Sequence, residues 1–395
     1  MLGRLLVATA AVSLLAGCTT AAPPPTNTSA TGTVSPAGGW TRVELPDGVR
    51  AASLAAAGDQ VLVGGFAGSG AAGGGQTPDD AVPSLLVVRS VAVEGSFQLR
   101  PAEPYAEVAT LESLAVAGDE VFAIGKAVGG AHANPRLSVW DGSLAGRRLT
   151  SRPQEFFTFG GHDAGPLLGT TKVGGTPVIF GSRVATTGLY GVVWTRKGHT
   201  WTQQAARPEL TSSPDREFSF LSFARLGDSL VVAGDELGLA GGLNQSPVAF
   251  VGAIRGGWRQ VGLPVPGGLT RLPGQLSRAT SIACPEEGDT CWTAGWVRGH
   301  PLAWPLRVAP AAAGDATVLP GDPPAGDAAA VLALAAGRPV VFTNAAAPTV
   351  QLGCPDGWRT LPAPAAPVSA AVVAGGGLFA VSGDALWRLA VPTCG

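Results

Sequence analysis

Short apolar runs that follow a glycine-containing turn recur along the chain. The stretch "AGDQVLVGGF" from Ala57 returns as "AGDEVFAIGK" at Ala117, "LGDSLVVAGD" at Leu226 and "EGDTCWTAGW" at Glu287. Looser copies read "GGTPVIFGSR", "AAGRPVVFTN" and "AGGGLFAVSG". A short apolar run bounded by turn residues is typical of a buried β-strand. The pattern therefore predicts a repeated strand-turn-strand unit.

The copies align on a turn glycine that falls about every 53 residues, a spacing found in solenoids and propellers. These glycines are Gly58, Gly118, Gly175, Gly227, Gly288, Gly337 and Gly375. The third residue beyond each is Val61, Val121, Val178, Leu230, Cys291, Val340 and Leu378. The next residue is large and apolar in every copy: Leu62, Phe122, Ile179, Val231, Trp292, Val341 and Phe379. Successive strand residues point to opposite faces, so this pair predicts burial on both faces.

Further strand-like segments flank each unit. A strand such as "AASLAAAG" precedes the turn, another follows the apolar run, and most copies close with a segment ending in proline, such as "SFQLRP" or "ATVLP". Proline is tolerated at a strand end or on an outer edge, where a missing N–H costs least. Four strands per repeat is the blade of a β-propeller.

The two ends of the repeat array complement each other. The last copy, ending "ALWRLAVPTCG", lacks a fourth strand, whereas an orphan strand, "GWTRVELP" (Gly39–Pro46), precedes the first copy. Pairing it with Ala385–Val391 would leave no open sheet edge. The sequence therefore predicts an all-β fold, a seven-bladed β-propeller of four-stranded antiparallel blades, closed by an N-terminal strand that completes the last blade. Six or eight blades are the alternatives.

The connections divide into two sets with different lengths. Turns between first and second strands and between third and fourth strands share one face and are mostly tight, such as "AGD" and "KGH". Connections between second and third strands and between blades share the other face and are longer, such as "GSGAAGGGQTPDDAVP". We name the second side the looped face and expect ligands there, because long loops often carry function.

The first residues are predicted to be a targeting segment rather than part of the fold. "MLGRLLVATAAVSLLAGC" has one positive charge, an apolar centre and small residues before Cys18, as in a signal segment. Leu15 to Cys18 match the lipobox of bacterial lipoproteins, and that resemblance implies a lipid-modified Cys18. Residues 1–17 are thus predicted to be a lipoprotein signal peptide. Residues 18–38 would form a disordered Thr/Ala/Pro-rich tether, and 39–395 the propeller. An ordinary cleaved signal is the alternative.

Composition and cysteines narrow the function classes. A net charge of −2 with 14% charged residues does not indicate the basic surface that nucleic-acid-binding proteins carry. Of the five cysteines, four remain beside Cys18, and an exported protein can oxidise them. Cys284–Cys291 would staple a hairpin and Cys354–Cys394 would join neighbouring repeats, although four cysteines allow three pairings. Zinc-site CxxC spacing is absent, so we expect disulfides, with no metal and no cofactor.

One hairpin resembles a known repeat. "VVWTRKGHTWTQ" from Val192 is similar to the Asp-box (BNR) repeat of sialidase-like propellers, with Thr195, Gly198 and Trp201 among the matches and Lys197 in place of the aspartate. Shorter partial matches to this repeat are "GGWRQV" at Gly256 and "DGWRTL" at Asp356. The resemblance implies a propeller in which this box lies on the hairpin between third and fourth strands. It transfers no catalytic residue.

Several side chains on the looped face are candidates for a ligand site, each with a plainer alternative. Histidines could hold a metal but are better interpreted as surface residues, "FFTFGGHD" could form an apolar lip or cover the next blade, and open tryptophans could stack on sugars. Trp292 is interpreted as core and Trp296 and Trp304 as more open, although packing in the core or between blades is favoured for Trp304. "GSGAAG" at Gly68 matches a dinucleotide fingerprint but lacks the following helix. The ligand-face candidates are His132, Phe156, Phe157, His162, Asp163, Arg216, Arg271, Trp296 and His300.

Catalytic residues are scarce in this sequence. A sialidase needs an arginine cluster and a tyrosine nucleophile activated by a glutamate, and Tyr105 with Glu103 and Glu107 is the one weak candidate for the latter. Arginines available for a cluster are Arg183, Arg216, Arg271 and Arg278. We leave enzymatic activity open and favour its absence.

The sequence thus favours a monomeric, non-catalytic binding or scaffolding module. It would be lipid-anchored on the extracytoplasmic face of the cell membrane and would contact an envelope protein or a glycan. A sialidase-like glycan hydrolase and a small-ligand sensor are the alternatives.

Overall fold

Seven antiparallel sheets form a ring, so the predicted seven-bladed β-propeller is confirmed. The computed structural model describes residues 39–68, 81–128, 135–240, 242–270, 276–321, 329–345 and 347–394. The first strands of neighbouring blades contact one another all the way round, and that of blade 1 touches those of blades 2 and 7. Among the described residues, no helix is both long and apolar enough to span a membrane.

The strands follow one another blade by blade. Blade 1 consists of β2 (Val49–Ala57), β3 (Gln60–Ala67), β4 (Val82–Arg89) and β5 (Ala92–Ser96). Blade 2 consists of β7 (Thr110–Ala117), β8 (Glu120–Val128), β9 (Pro135–Ser143) and β10 (Arg148–Ser151), with β6 (Gln98–Arg100) outside β10. Blade 3 consists of β11 (Ala164–Val173), β12 (Thr176–Ala185), β13 (Gly188–Lys197) and β14 (Thr200–Gln203).

The other four blades repeat this order. Blade 4 consists of β15 (Arg216–Leu226), β16 (Ser229–Gly238), β17 (Asn244–Gly252) and β18 (Trp258–Gly262). Blade 5 consists of β19 (Arg278–Ala283), β20 (Thr290–Val297), β21 (His300–Val308), β22 (Ala311–Ala313) and β23 (Thr317–Val318). Blade 6 consists of β24 (Val331–Ala335), β25 (Arg338–Phe342), β26 (Val350–Cys354) and β27 (Gly357–Leu361). Blade 7 consists of β28 (Val368–Ala374), β29 (Gly377–Ser382), β30 (Ala385–Ala390) and β1 (Thr41–Val43).

The ring closes where the sequence predicts. β1 pairs antiparallel with β30, with Thr41 opposite Arg388 and Val43 opposite Leu386. Trp40, just before β1, is buried, and its indole Nε1 donates a 2.9 Å hydrogen bond to the Pro362 carbonyl. The early strand is therefore held by a sheet ladder and by a side chain inserted beside the last blades.

The aligned turn glycines and apolar columns explain the repeat. All seven glycines have positive φ, from 53° at Gly375 to 113° at Gly288, a backbone region that glycine enters without steric cost. All seven residues three places beyond them are fully buried, at 0% exposure. The tight turn thus places each second strand so that its apolar residues pack between neighbouring blades.

Serines join neighbouring first strands. Among the described strands, the pairing of the first strand with the second is interrupted by a β-bulge in every blade except blade 6. Examples are the bulges at Ala51/Ser53 and Phe220/Ser222. Ser53 Oγ donates to the Leu111 carbonyl of the next blade at 2.7 Å. In blades 4 and 5, the serine instead accepts a hydrogen bond from a backbone N–H of the following blade. A bulge re-aims one side chain, which here links two blades.

Two predictions about strand positions were wrong. "SFQLRP" does not close blade 1: β5 does so, and β6 pairs in parallel with β10 of blade 2. The segment "ATVLP" supplies only part of a fourth strand, because β22 and β23 pair separately with β21. In both places the chain has two short extended segments after the third strand, and the repeat pattern alone cannot assign which one pairs with it.

Both predicted disulfides are present. Cys284 and Cys291 join β20 to the end of the preceding strand segment, with their Cα atoms 4.2 Å apart. Cys354 of blade 6 pairs with Cys394, which follows β30 of blade 7, with a Cα separation of 5.7 Å. The second bridge lies beside the ring closure and links the last two blades covalently.

Candidate functional site

The looped face concentrates exposed apolar side chains. Of the eleven large hydrophobic residues that are exposed within the described ranges, nine lie in or next to its connections: Val82, Tyr105, Phe156, Phe157, Val184, Leu239, Leu243, Val265 and Leu276. The exceptions are Val91, in a tight turn, and Val318, on an outer strand. Clustered exposed apolar groups are typical of interaction sites, whereas scattered ones are not.

A pocket of about 250 Å³ opens on this face where blade 2 meets the segment leading to blade 3. Its walls are the connection before β7, the start of β9 and the segment between β10 and β11. Two short helices shape it, α1 (Pro104–Glu107) and α2 (Phe156–Phe159). Its principal side chains are Glu103, Tyr105, Arg136, Leu137, Gln154, Glu155, Phe156 and Phe159.

Arg136 is the cation at the mouth of this pocket. Its guanidinium carbon lies over the ring of Tyr105 and over the ring of Phe156, 5.5 Å from each ring centre. Tyr105 is 47% exposed and Phe156 is 54% exposed, so both rings also face solvent. The contacts are cation–π interactions, which involve the charge of the guanidinium and no acceptor for its N–H groups.

Glu103 supplies the pocket with a partly buried carboxyl group. Burial raises the pKa of this carboxyl, and a hydrogen bond with Ser151 opposes the shift. Its Oε2 atom is buried without a hydrogen-bond partner among the described residues. A carboxyl in this setting protonates more readily than usual and can then donate a hydrogen bond.

Arg183 holds the wall that carries Phe156. It is 5% exposed, and its two terminal nitrogens donate to the carbonyls of Phe157, Thr158 and Gly160 at 2.6 to 3.2 Å. It also donates to Asp163 Oδ1 at 2.7 Å and, through Nε, to Gln203 Oε1 at 3.0 Å. The segment from 157 to 163 is therefore wrapped around one buried guanidinium on β12.

A second set of polar contacts fixes the start of the same segment. Arg152 Nε donates to Asp141 Oδ1 at 2.5 Å, and Arg196 of blade 3 contacts the other oxygen of that carboxylate. Gln154 donates to the His199 carbonyl at 2.9 Å and accepts from the Trp201 N–H at 3.0 Å. The pocket wall is thus attached to blades 2 and 3 at both ends, so its shape is pre-organised.

The structure brings together some of the predicted site residues. Glu103, Tyr105 and Phe156 line the pocket, and Phe157, 71% exposed, lies beside it on α2. Glu107 is exposed on α1 and does not line the pocket, and His162 is exposed after α2. The carboxylate of Asp163 forms an ion pair with Arg183.

Other candidates lie elsewhere. Arg216 of blade 4 donates to Gln260 at 3.3 Å and lies 4.9 Å from the Phe218 ring centre. His300 does not fall in a long loop but begins β21, with Nε2 3.3 Å from the Thr270 carbonyl. No group of three potential metal-ligating side chains occurs in the described part of the chain. Cys18, His132 and Arg271 lie outside the described residues, as does most of "GSGAAG".

The structure corrects the prediction for two of the three tryptophans. Trp296, predicted to be more open, is buried at 3% exposure, whereas Trp292, predicted to be core, is only half-buried and packs edge-on against Trp358, with ring centres 6.0 Å apart. Trp304 is buried at 0% exposure, which agrees with the packing role favoured for it. Trp296 belongs to a buried cluster of blades 5 and 6 that includes Leu332 and Val341. Neither Trp296 nor Trp304 presents a ring to a sugar.

The arginines of the hydrolase hypothesis do not share one pocket in the described residues. They belong to three different blades: Arg183 to blade 3, Arg216 to blade 4 and Arg278 to blade 5. Among these described residues, the nearest carboxylate to Arg278 is that of Asp235, 3.9 Å from its Nε atom, and neither of the other two arginines contacts it. No hydrogen bond connects the Tyr105 hydroxyl to a carboxylate within the described ranges, although an activated nucleophile needs such a base.

Sequence reasoning missed Arg136, Gln154 and Arg152. Arg136 follows a loop and carries no motif, so only its contacts with two rings from other connections reveal it. An arginine that follows a loop and precedes apolar strand residues, as in "NPRLSVW", was the only available signal.

Comparison with known proteins supports the fold alone. No protein-family model matches the chain, and no curated protein matches it. Among solved structures, Kuenenia stuttgartiensis hydrazine synthase is similar with a TM-score of 0.52 and 10% sequence identity. The match covers 90% of this chain and 99% of that chain.

Proposed function

We propose that this protein is a non-catalytic binding module whose looped face contacts an envelope glycan or protein. The observation that carries the proposal is the pre-organised pocket between blades 2 and 3, which is lined by the exposed rings of Tyr105 and Phe156 and has the exposed ring of Phe157 beside it. Exposed aromatic side chains on a rigid scaffold are typical of binding sites, because they contribute contact area at a low entropic cost.

The proposed location is the extracytoplasmic side of the cell membrane, with a lipid on Cys18 and residues 18–38 as a tether. The lipobox match supports the anchor, and the two disulfides are consistent with an oxidising compartment. Acyl chains at about 0.8 kcal/mol per buried methylene would hold the protein to the bilayer. The propeller would then present its looped face to material near the membrane.

A pair of face variants tests this proposal. The detergent-solubilised full chain is titrated with delipidated cell-wall material and with immobilised envelope glycans or proteins. Phe156→Ser with Phe157→Ser removes two exposed rings from the looped face, whereas Val91→Ser removes an exposed apolar group from the opposite face. We expect the double variant to bind at least tenfold more weakly and the Val91 variant to bind as the parent does.

Equal binding by all three proteins would contradict the proposal. Release of a soluble sugar from the same glycans, lost in Tyr105→Phe, would instead establish the hydrolase alternative. The sensor alternative predicts that a small ligand saturates the pocket while none of the immobilised envelope glycans or proteins binds.

A further inference from the structure

The Arg136 guanidinium is an unpaired cation in a half-enclosed site. No carboxylate lies within ion-pair distance of it, and no hydrogen-bond acceptor contacts it, in the described part of the chain. Glu103 and Glu155 line the same pocket but are not bonded to it. In contrast, the neighbouring Arg152 is ion-paired with Asp141, a carboxylate that it shares with Arg196. Of the two arginines that line the pocket, Arg136 is thus the one without an ion-pair or hydrogen-bond partner in the described residues.

The charge and shape of Arg136 determine which ligand fits beside it. A guanidinium is planar, and two parallel N–H groups along one of its edges match the two oxygens of a carboxylate. A ligand cation would be repelled by the charge of Arg136. The arrangement thus favours an anion over a cation.

The remainder of the pocket is suited to a ring. Leu137, Pro153 and Phe159 supply apolar side chains to its lining, and the rings of Phe156 and Tyr105 line it as well. The volume of about 250 Å³ lies just below the usual range for pockets that bind drug-sized ligands, so one ring fits better than a long chain. The unpartnered Oε2 of Glu103, when protonated, can donate to an oxygen of that ligand.

From these contacts we propose that the pocket binds a small ligand in which a carboxylate is attached to a ring. The carboxylate pairs with the Arg136 edge, and the ring packs against Phe156, Tyr105 and the apolar wall. This inference rests on the proposed binding function and specifies its ligand class.

Matched pairs of small molecules test the charge requirement. The full chain in detergent is titrated by calorimetry and ligand-observed NMR with benzoate against benzamide, glucuronate against glucose, and choline as a cation. At least one carboxylate should bind tenfold or more tightly than its neutral partner, and the preferred pair distinguishes an apolar ring from a hydroxylated one. Arg136→Gln should remove the difference, whereas Arg148→Gln, at an exposed arginine on β10, should retain it.

Several outcomes would overturn this inference: equal affinity for acid and neutral partner, tighter binding of choline, binding of neither carboxylate, or full affinity in Arg136→Gln. If that variant does not fold, Arg136→Lys keeps the charge without the planar edge and should bind the carboxylate at least fivefold more weakly. Loss of envelope binding in the Phe156/Phe157 variant with unchanged binding in Arg136→Gln would refute the carboxylate while sparing the binding function. Unchanged binding in both would refute both proposals.

Discussion

Single buried polar residues organise this propeller locally. Arg183 uses all five of its N–H groups on acceptors, three of which are backbone carbonyls of one connecting segment. Asp235 is a second such residue, at 2% exposure, with Oδ2 accepting from Gln245 at 2.8 Å and Oδ1 lying 3.9 Å from Arg278 Nε without a hydrogen bond in the described residues. Arg183 is therefore fully hydrogen-bonded, whereas Asp235 is only partly so.

Arg183→Ala should lower the free energy of unfolding by about 2–3 kcal/mol, because carbonyls that accept from a charged donor lose their partner. The segment from 157 to 163 should also exchange its amide hydrogens faster. Denaturant unfolding and hydrogen exchange measure these effects. Arg225→Ala, which removes an exposed arginine with one hydrogen bond, is the control and should change stability little. Unaltered exchange in the segment would refute the role assigned to Arg183.

Asp235 should make stability depend on pH. Burial raises the pKa of this carboxyl, with the Gln245 hydrogen bond opposing. The folded state then binds more protons than the unfolded state between the ordinary carboxyl value of about 4 and the raised value, so stability falls as pH rises through that window. Asp235→Asn should flatten this decline in unfolding measured from pH 4 to 8. Asp228→Asn, at an exposed turn residue, should leave the slope unchanged.

At the scale of elements, the short strand β1 closes the ring. It adds only three residues to blade 7, yet it covers the edge of β30, and Trp40 before it is 3% exposed in the core cluster of blades 6 and 7. The Trp40 ring lies 6.2 Å from that of Phe342. Closure thus depends on one ladder and one inserted side chain.

Trp40→Ala should destabilise the protein by about 3–5 kcal/mol, as expected when a large buried aromatic is truncated. It should also release β1 and leave the β30 edge available for intermolecular pairing. Thermal unfolding and concentration-dependent light scattering report the two effects. Trp358→Ala, at a half-buried tryptophan of blade 6 away from the closure, should cost less and cause no association. Equal effects of the two substitutions would argue against a special role for the closure.

For the whole molecule, the ring separates two faces with different roles. The tight turns, with their positive-φ glycines, form one side, and all three short helices in the described residues lie in blade-to-blade connections of the other: α1, α2 and the 3₁₀ helix Pro208–Leu210. A rigid wheel with one elaborated side suits a tethered binding module, because a lipid on Cys18 and a long tether would let that side reach its partner.

Cys18→Ser should abolish lipid attachment, because the thiol is the acceptor in the lipobox mechanism that the resemblance implies. Metabolic labelling with a palmitate analogue and fractionation of cells measure this result. We expect label on the parent protein in the membrane fraction and no label on the variant. Label that persists after the substitution would exclude Cys18 as the modified residue.

The amino-acid sequence by itself predicted the propeller of seven repeats and the closing strand, and it proposed the two disulfides among three possible pairings. The physical reason is that turn glycines and doubly buried strand residues are local requirements of each repeat, so they recur in the sequence. Tertiary structure alone decided which outer segment pairs in blades 1 and 5, which tryptophans are buried and where Arg136 lies. These features depend on contacts between blades, such as the ring contacts of Arg136, and such contacts follow no sequence period.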